Sequence, residues 1–318
     1  MRDIEGSKHD MSSGIEFKTT MNFAYHEPSP LGPGVVRLVA ENPGPFTFKG
    51  TNTYIVGSTE LAVIDPGPGD PTHLADILRI AAGRPITHIF VTHTHRDHVD
   101  SLAALQAATG ATTAAFSRPG ASRGTLLSSP SGTEFVDVEF EPEIALEHGQ
   151  SVRGADWTLT ALHTPGHAPD HTCYALDGRD IVFTGDHVMA WNTTVVAPPE
   201  GRMADYLASL RLLLERSESV YLPGHGGRIE EGQRMVKAYL LHRRWREQAI
   251  VAAIKDGRGT VREIAALIYD QLAPELHTAA LLSVMAHVEH LIEREIIVGD
   301  GALSFDQRLA PVAPARPA

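Results

Sequence analysis

Short apolar blocks punctuated by Gly and Pro fill the first two thirds of the chain, and apolar positions at helical spacing dominate the last third. Segments 35–41 and 51–58 are rich in β-branched and aromatic residues and read as strands, separated by the Pro- and Gly-containing connection 42–50. A third strand over 61–65 is stopped by Pro66-Gly67-Pro68-Gly69. Segment 71–82 turns helical, with Leu74, Ile77, Leu78 and Ile80 on one face and Gly83 just beyond as a stop. The apolar run 86–91 predicts a strand, and Asp97 or His98 opens a helix reaching about Ala108, before Gly110. Strand thus alternates with helix, an α/β arrangement in which sites gather at the C-terminal ends of strands. The pattern weakens over 112–152. Within it, 117–132 reads as a mobile loop or flap, and 134–139 and 144–146 are short strand candidates.

Strand signals return at 157–162, 181–185 and 220–223, each followed by a glycine-containing turn. Beyond Arg202 the spacing becomes helical over 203–214 and over a long stretch, 229–253. Helices over 260–269 and 276–294, then a hairpin within 296–305, make a small winged-helix pattern. The expected organisation is a loose polar leader at 1–20, a catalytic part at 21–228, a long helix with a winged-helix part at 229–309, and a disordered Pro- and Ala-rich tail at 310–318.

Composition adds bounds to this picture. Hydrophobic residues make up 42% and charged residues 21% of the 318, with no apolar run long enough to span a bilayer. Segment 1–20 has no apolar core of the kind a secretion signal needs, and the expected location is cytoplasmic. The single cysteine, Cys173, can form no intramolecular disulfide and reads as a small buried hydrophobe. The formal charge of -12 falls entirely before Gly227, because the residues from there onward balance 12 basic against 12 acidic. Such an acidic first part repels nucleic acid at long range.

The candidate chemistry starts at 91–101, V-T-H-T-H-R-D-H-V-D-S, which places His93, His95, Asp97 and His98 within six positions. Three imidazoles and a carboxylate so close together are best reconciled by a divalent cation. Alternate residues of an extended segment face one way, so His93 and His95 can reach one ion, while Asp97 and His98 lie past the turn. That geometry suggests two metals. A lone histidine among the 17 present carries little weight, but three further strand ends repeat the theme. Thr164-Pro165-Gly166 presents His167, Gly185 presents Asp186, and Pro223-Gly224 presents His225.

Together, H-T-H-R-D-H, T-P-G-H, F-T-G-D and P-G-H-G resemble the metallo-β-lactamase superfamily, closest to its glyoxalase II-like branch. The resemblance implies an αββα sandwich with a binuclear site at one edge. Carried over to this chain, it gives one metal to His93, His95 and His167 and the other to Asp97, His98 and His225, with Asp186 bridging. Zinc is the default occupant, with iron or manganese as alternatives. A hydroxide held between the ions would attack an ester, thioester or lactone, and Asp97 would orient it and pass on its proton. The expected partner is a small-molecule or carrier-bound acyl substrate.

The family's Gly-Gly after H-x-D-H is replaced here by Val99-Asp100-Ser101, which puts substrate fit in question. Because Asp186 is present and Cys173 matches no ligand motif, antibiotic hydrolysis is disfavoured. G-T-N-T-Y-I-V-G at 50–57, H-R-R-W-R-E-Q at 242–248 and the winged-helix pattern resemble a subgroup with a mitochondrial single-strand endoribonuclease and fungal polyketide carrier-protein thioesterases. Two alternatives therefore stand beside acyl hydrolysis. One is RNA cleavage with Arg202, Arg243, Arg244 and Arg246 on phosphates, and the other is a metal-stabilised binding protein. The helix carrying His277, His287 and His290 has no Lys or Arg before Arg294, a poor DNA reader. Asp65, His171 and His187 could support the site or serve as ordinary turn or core residues, and His163 could simply pack at a strand end. Trp191, Asn192, Thr193 and Thr194 could line a pocket or form a packed connector.

Overall fold

The computed structural model describes residues 15–116 and 140–312. The expected flap at 117–132 and the strand candidate at 134–139 lie outside the described residues. One sheet has seven strands in chain order, β1 (Ser29–Gly32), β2 (Val35–Val39), β3 (Asn52–Val56), β4 (Leu61–Ile64), β5 (Ile86–Phe90), β6 (Thr112–Phe116) and β7 (Ile144–Leu146). The first four run antiparallel, and β4 to β7 run parallel. Parallel pairing requires crossovers. Two are helical: α1 (Pro71–Ala81) lies between β4 and β5, and α2 (Arg96–Val99) with α3 (Leu102–Thr109) lies between β5 and β6.

The second sheet has five strands: β8 (Ser151–Arg153), β9 (Thr158–His163), β10 (Thr172–Leu176), β11 (Ile181–Gly185) and β12 (Val220–Pro223), with β12 parallel to β11 after the crossover α4 (Met203–Leu214). Their inner faces meet in an apolar layer that includes Tyr54, Ile64 and Phe90 from the first sheet and Leu159, Tyr174 and Phe183 from the second. Ile77 and Leu105 cover the outer face of the first sheet. Tyr206 and Leu210 of α4 cover the second, together with Val236 and Tyr239 of α5 (Gly232–Lys255). The result is helix, sheet, sheet, helix.

A separate apolar cluster joins the C-terminal half of α5 to α6 (Val261–Ile268), α7 (His277–Glu293) and the two-stranded sheet β13 (Ile297–Gly299) with β14 (Leu309–Pro311). This is the winged helix. Among the described residues, no helix is long and apolar enough to cross a membrane.

Four expectations shift. The helix expected across 97–108 is broken, because Ser101 N donates to Gly67 O at 3.1 Å instead of continuing the helical ladder. The long helix starts at Gly232, since Ile229 exchanges backbone hydrogen bonds with Tyr221. The second strand of the wing falls at Leu309–Pro311, not within 302–305, so Ala310 and Pro311 are paired rather than tail. Nor is the leader loose to residue 20: Ile15 is buried in the core and Lys18 N donates to Ala190 O.

Candidate metal centre

Each candidate ligand sits just past a strand. The turn after β5 carries His93, His95, Asp97 and His98; the turns after β9, β11 and β12 carry His167, Asp186 and His225. All seven converge from both sheets. His93 Nε2 lies 2.9 Å from His95 Nδ1, which lies 3.0 Å from His167 Nε2. Two ligands at about 2.0–2.1 Å from one tetrahedral ion stand about 3.3 Å apart, so this triangle matches a cation site. In the second triangle, Asp97 Oδ2 stands 3.5 Å from His98 Nε2 and 3.3 Å from His225 Nε2. Asp186 lies between the two: its Oδ2 is 3.8 Å from His167 Nε2 and 3.3 Å from His225 Nε2, and its Oδ1 is 3.6 Å from His98 Nε2.

Electrostatics divides the triangles. Burial, reinforced by neighbouring imidazoles, holds His93 well below the usual histidine range and His95 down at about 3, so both are neutral with lone pairs to offer. Burial opposes charge on His98 as well, but Asp97, Asp65 and Asp186 outweigh it and raise the ring to about 9. Burial pushes Asp97 and Asp186 up, yet the facing histidines overcome it and keep both carboxylates ionised. His98 Nε2 and Asp186 Oδ1 are buried with no hydrogen-bond partner. Orphaned donor atoms aimed at a shared point, in a set of imidazoles and carboxylates, fit a pair of divalent cations.

A supporting layer orients the ligands. Asp65, in a left-handed backbone conformation at φ 52°, accepts from Thr92 N and Thr92 Oγ1, both at 2.7 Å, and its Oδ2 meets His98 Nδ1 at 2.9 Å. Its turn position and its support of a ligand histidine are thus one arrangement. His167 Nδ1 donates to Val195 O at 2.7 Å. His171 is fully buried, and its Nε2 accepts from Asp186 N at 3.1 Å. Gly224 has no room for a side chain, since a Cβ there would sit 2.5 Å from Asp186 Oδ1.

Val99-Asp100-Ser101 is tied to the preceding turn by Gly67 N to His98 O at 3.1 Å and by Ser101 Oγ to Pro68 O. Sequence reasoning missed three contributors. Asp170 accepts from Thr94 N at 3.1 Å and pins the H-x-H turn, while Thr51 Oγ1 donates to Asp97 Oδ2 at 2.9 Å. Asn52 Nδ2 donates to Pro223 O at 2.8 Å and Gly226 O at 2.9 Å, fastening the two sheets at the site. Only the Asp next to His171 and the polar Thr-Asn-Thr start of a buried strand could have hinted at them.

The other candidates stand outside the two triangles. His163 stacks on Phe116 with ring centroids 3.6 Å apart. His187 is buried against Tyr206. Trp191 stacks on Phe48 at 5.0 Å, and Thr194 Oγ1 donates to the carbonyls of Asp186 and His187. Cys173 is buried, its thiol pushed up to about 12 by burial, so it is no thiolate at neutral pH. Arg243, a candidate phosphate contact, is buried and donates to Thr194 O; Arg202 pairs with Glu293 and Asp205, and Arg246 lies over the Tyr269 ring. His287 is buried rather than on a reading face.

An αββα sandwich with imidazoles and carboxylates gathered where both sheets end defines the class of metal-dependent hydrolases built on that scaffold. Comparison with known proteins supplies the particular family. The family model described as Metallo-beta-lactamase superfamily matches residues 46–225, and that described as Beta-lactamase associated winged helix domain matches 260–305. The chain belongs to the metallo-beta-lactamase superfamily and is a hydrolase of it, with the associated winged helix at its C-terminal end.

Among similar proteins, one named lactamase-like protein from Pestalotiopsis microspora is 33% identical over 72% of this chain and 66% of its own length. An atrochrysone carboxyl ACP thioesterase from Aspergillus chevalieri is 30% identical over 87% of this chain and 84% of its own. A beta-lactamase domain protein of known structure from Burkholderia ambifaria shares the fold, with a TM-score of 0.78 at 18% identity over 95% of this chain and 98% of that one.

Proposed function

We propose that this protein is a binuclear metal-dependent hydrolase of acyl thioesters, with esters and lactones as chemically related substrates and zinc as the expected occupant. The observation that carries the reading is Asp186, whose two carboxylate oxygens face ligand atoms of both triangles. The thioester is favoured because a relative covering most of this chain is named an ACP thioesterase. We place the catalytic part at 15–231 and the long helix with the winged helix at 232–311.

When bound, two divalent ions supply Lewis acidity to a carbonyl oxygen and bring the pKa of water toward neutrality. His93, His95 and His167 would hold one ion and Asp97, His98 and His225 the other, with Asp186 shared. Asp97 is the most accessible carboxylate of the set, its side chain 29% exposed against 11% for Asp186. Its Oδ2 is fixed by the Thr51 hydroxyl. From there it orients the attacking water, accepts its proton, and returns it to the departing thiolate. No serine or cysteine nucleophile is needed, and the buried Cys173 thiol is unsuited to the task.

The test is metal analysis alongside hydrolysis. Wild type saturates at about two ions per chain, and Asp186→Ala lowers occupancy of both positions and abolishes thioester turnover. A single ion per chain at saturation, unchanged in Asp186→Ala, overturns the binuclear assignment. A chelator-insensitive turnover overturns metal dependence.

A further inference from the structure

Beside the metal centre lies a depression of about 370 Å³ lined by Thr19, Thr20, Met21, Phe23, Tyr25 and Lys49. It is tied to the centre along both walls. Lys49 precedes Gly50, whose carbonyl meets His225 Nδ1 at 3.3 Å, and Thr51, which holds Asp97. Opposite, a Cβ on Gly227, two residues past His225, would stand 3.5 Å from the Met21 side chain. Residues 18–25 form a strap, pinned by Lys18 N to Ala190 O at 2.9 Å and by Tyr25 Oη to Lys49 O at 2.6 Å.

Aromatic surface continues from the strap toward the centre. Phe48 and Trp191 stack at 5.0 Å and 14°, and Trp191 rests against Gly226, immediately after His225. The Lys49 ammonium lies 5.4 Å from the Phe48 ring centroid. No carboxylate among the described residues pairs with it, and nearby Glu41 is engaged by His26 at 3.3 Å. Exposed Lys18 adds a second ammonium-bearing residue on the strap. In a part of the chain with 27 acidic against 15 basic residues, Lys49 places an ammonium next to the segment that holds Asp97 and His225. It offers a place where an anion is received.

We propose that this depression binds the non-reacting arm of the substrate, and that the arm carries a phosphate received by Lys49 while its chain lies along Phe48 and Trp191. This rests on the thioester reading above and narrows it to thioesters of a phosphate-bearing thiol, either free coenzyme A or the same arm on a carrier protein. Lys49 is then a specificity-determining residue: it touches the arm, not the reacting carbonyl.

The experiment presents one acyl group on coenzyme A, on a carrier protein and on N-acetylcysteamine, which lacks the phosphate, to metal-loaded wild type, Lys49→Ala and Lys49→Arg. In Lys49→Ala, KM for the phosphate-bearing arms rises about fivefold, the size of one exposed charge contact, with kcat and the N-acetylcysteamine reaction unchanged. Lys49→Arg keeps most of the wild-type KM. Coenzyme A alone, titrated calorimetrically, binds wild type and loses affinity by a similar factor in Lys49→Ala, giving a readout that turnover does not enter. A rise confined to the carrier protein assigns the arm to that source, and a rise for both includes the free coenzyme.

Equal effects on all three thioesters, or none on any, with unchanged coenzyme A binding, overturns the arm assignment and leaves the thioesterase reading standing. Failure of wild type to cleave any of the three overturns the thioesterase reading and this inference with it.

Discussion

At the residue scale, the centre depends on carboxylates that never need to touch a metal. Asp65 accepts three hydrogen bonds, one from a ligand ring, from a backbone conformation that few residues tolerate apart from Gly, Asn and Asp. Asp65→Asn suits that conformation but offers His98 Nδ1 one neutral oxygen instead of a carboxylate. We expect metal affinity, measured by chelator competition, to fall roughly 10–100-fold with little loss of thermal stability; affinity within twofold of wild type would show that the ring needs no anionic partner. The seven candidate residues were legible in the sequence because His and Asp recur there at fixed offsets from strand ends, and the structure brings them together. Asp170, Thr51 and Asn52 were not, because each acts on groups distant in sequence, such as the 171 positions separating Asn52 from Pro223.

At the scale of elements, α5 reaches the centre without supplying a ligand. Arg243 donates to Thr194 O, Thr194 Oγ1 donates to Asp186 O at 2.8 Å, and the adjacent Val195 O receives His167 Nδ1. Tyr239 Oη donates to Met189 O at 2.7 Å in the same loop. Thr194→Val keeps the volume and removes the one hydroxyl hydrogen shared between the Asp186 and His187 carbonyls, worth about 1 kcal/mol. The expected outcome is a modestly lower Tm with metal affinity weakened about tenfold, the low end for support of a ligand; a stability loss with metal affinity untouched would limit the loop to packing.

The helix period exposed α4 and α7, and apolar or β-branched runs closed by Gly or Pro exposed most of both sheets. The break between α2 and α3 stayed hidden, because it arises when the 66–69 turn captures backbone groups the helix would use. The short edge strand β1, with exposed Pro30 and Gly32, has no apolar alternation to read.

At the scale of the molecule, charge separates acyl from nucleic-acid substrates. The whole deficit of -12 precedes Gly227, and Arg243 is buried while Arg202 is paired. Fluorescence anisotropy on single-stranded RNA near 0.15 M salt is therefore expected to give a Kd no tighter than about 10 µM, whereas turnover of a neutral thioester changes little across a tenfold salt range. Submicromolar RNA binding that collapses with salt, together with metal-dependent RNA cleavage, would favour the nuclease.

The seam where Asn52 and Tyr54 of β3 grip the carbonyl of Pro223 at the end of β12 has a consequence for biogenesis. Contacts so far apart in sequence must close a long loop before they contribute stability, so they form late. During synthesis the first triangle has all its ligands once His167 has emerged, whereas the second waits for His225 and for that seam. The order of emergence thus completes the first triangle of residues before the second, and all seven meet only when the sandwich has shut.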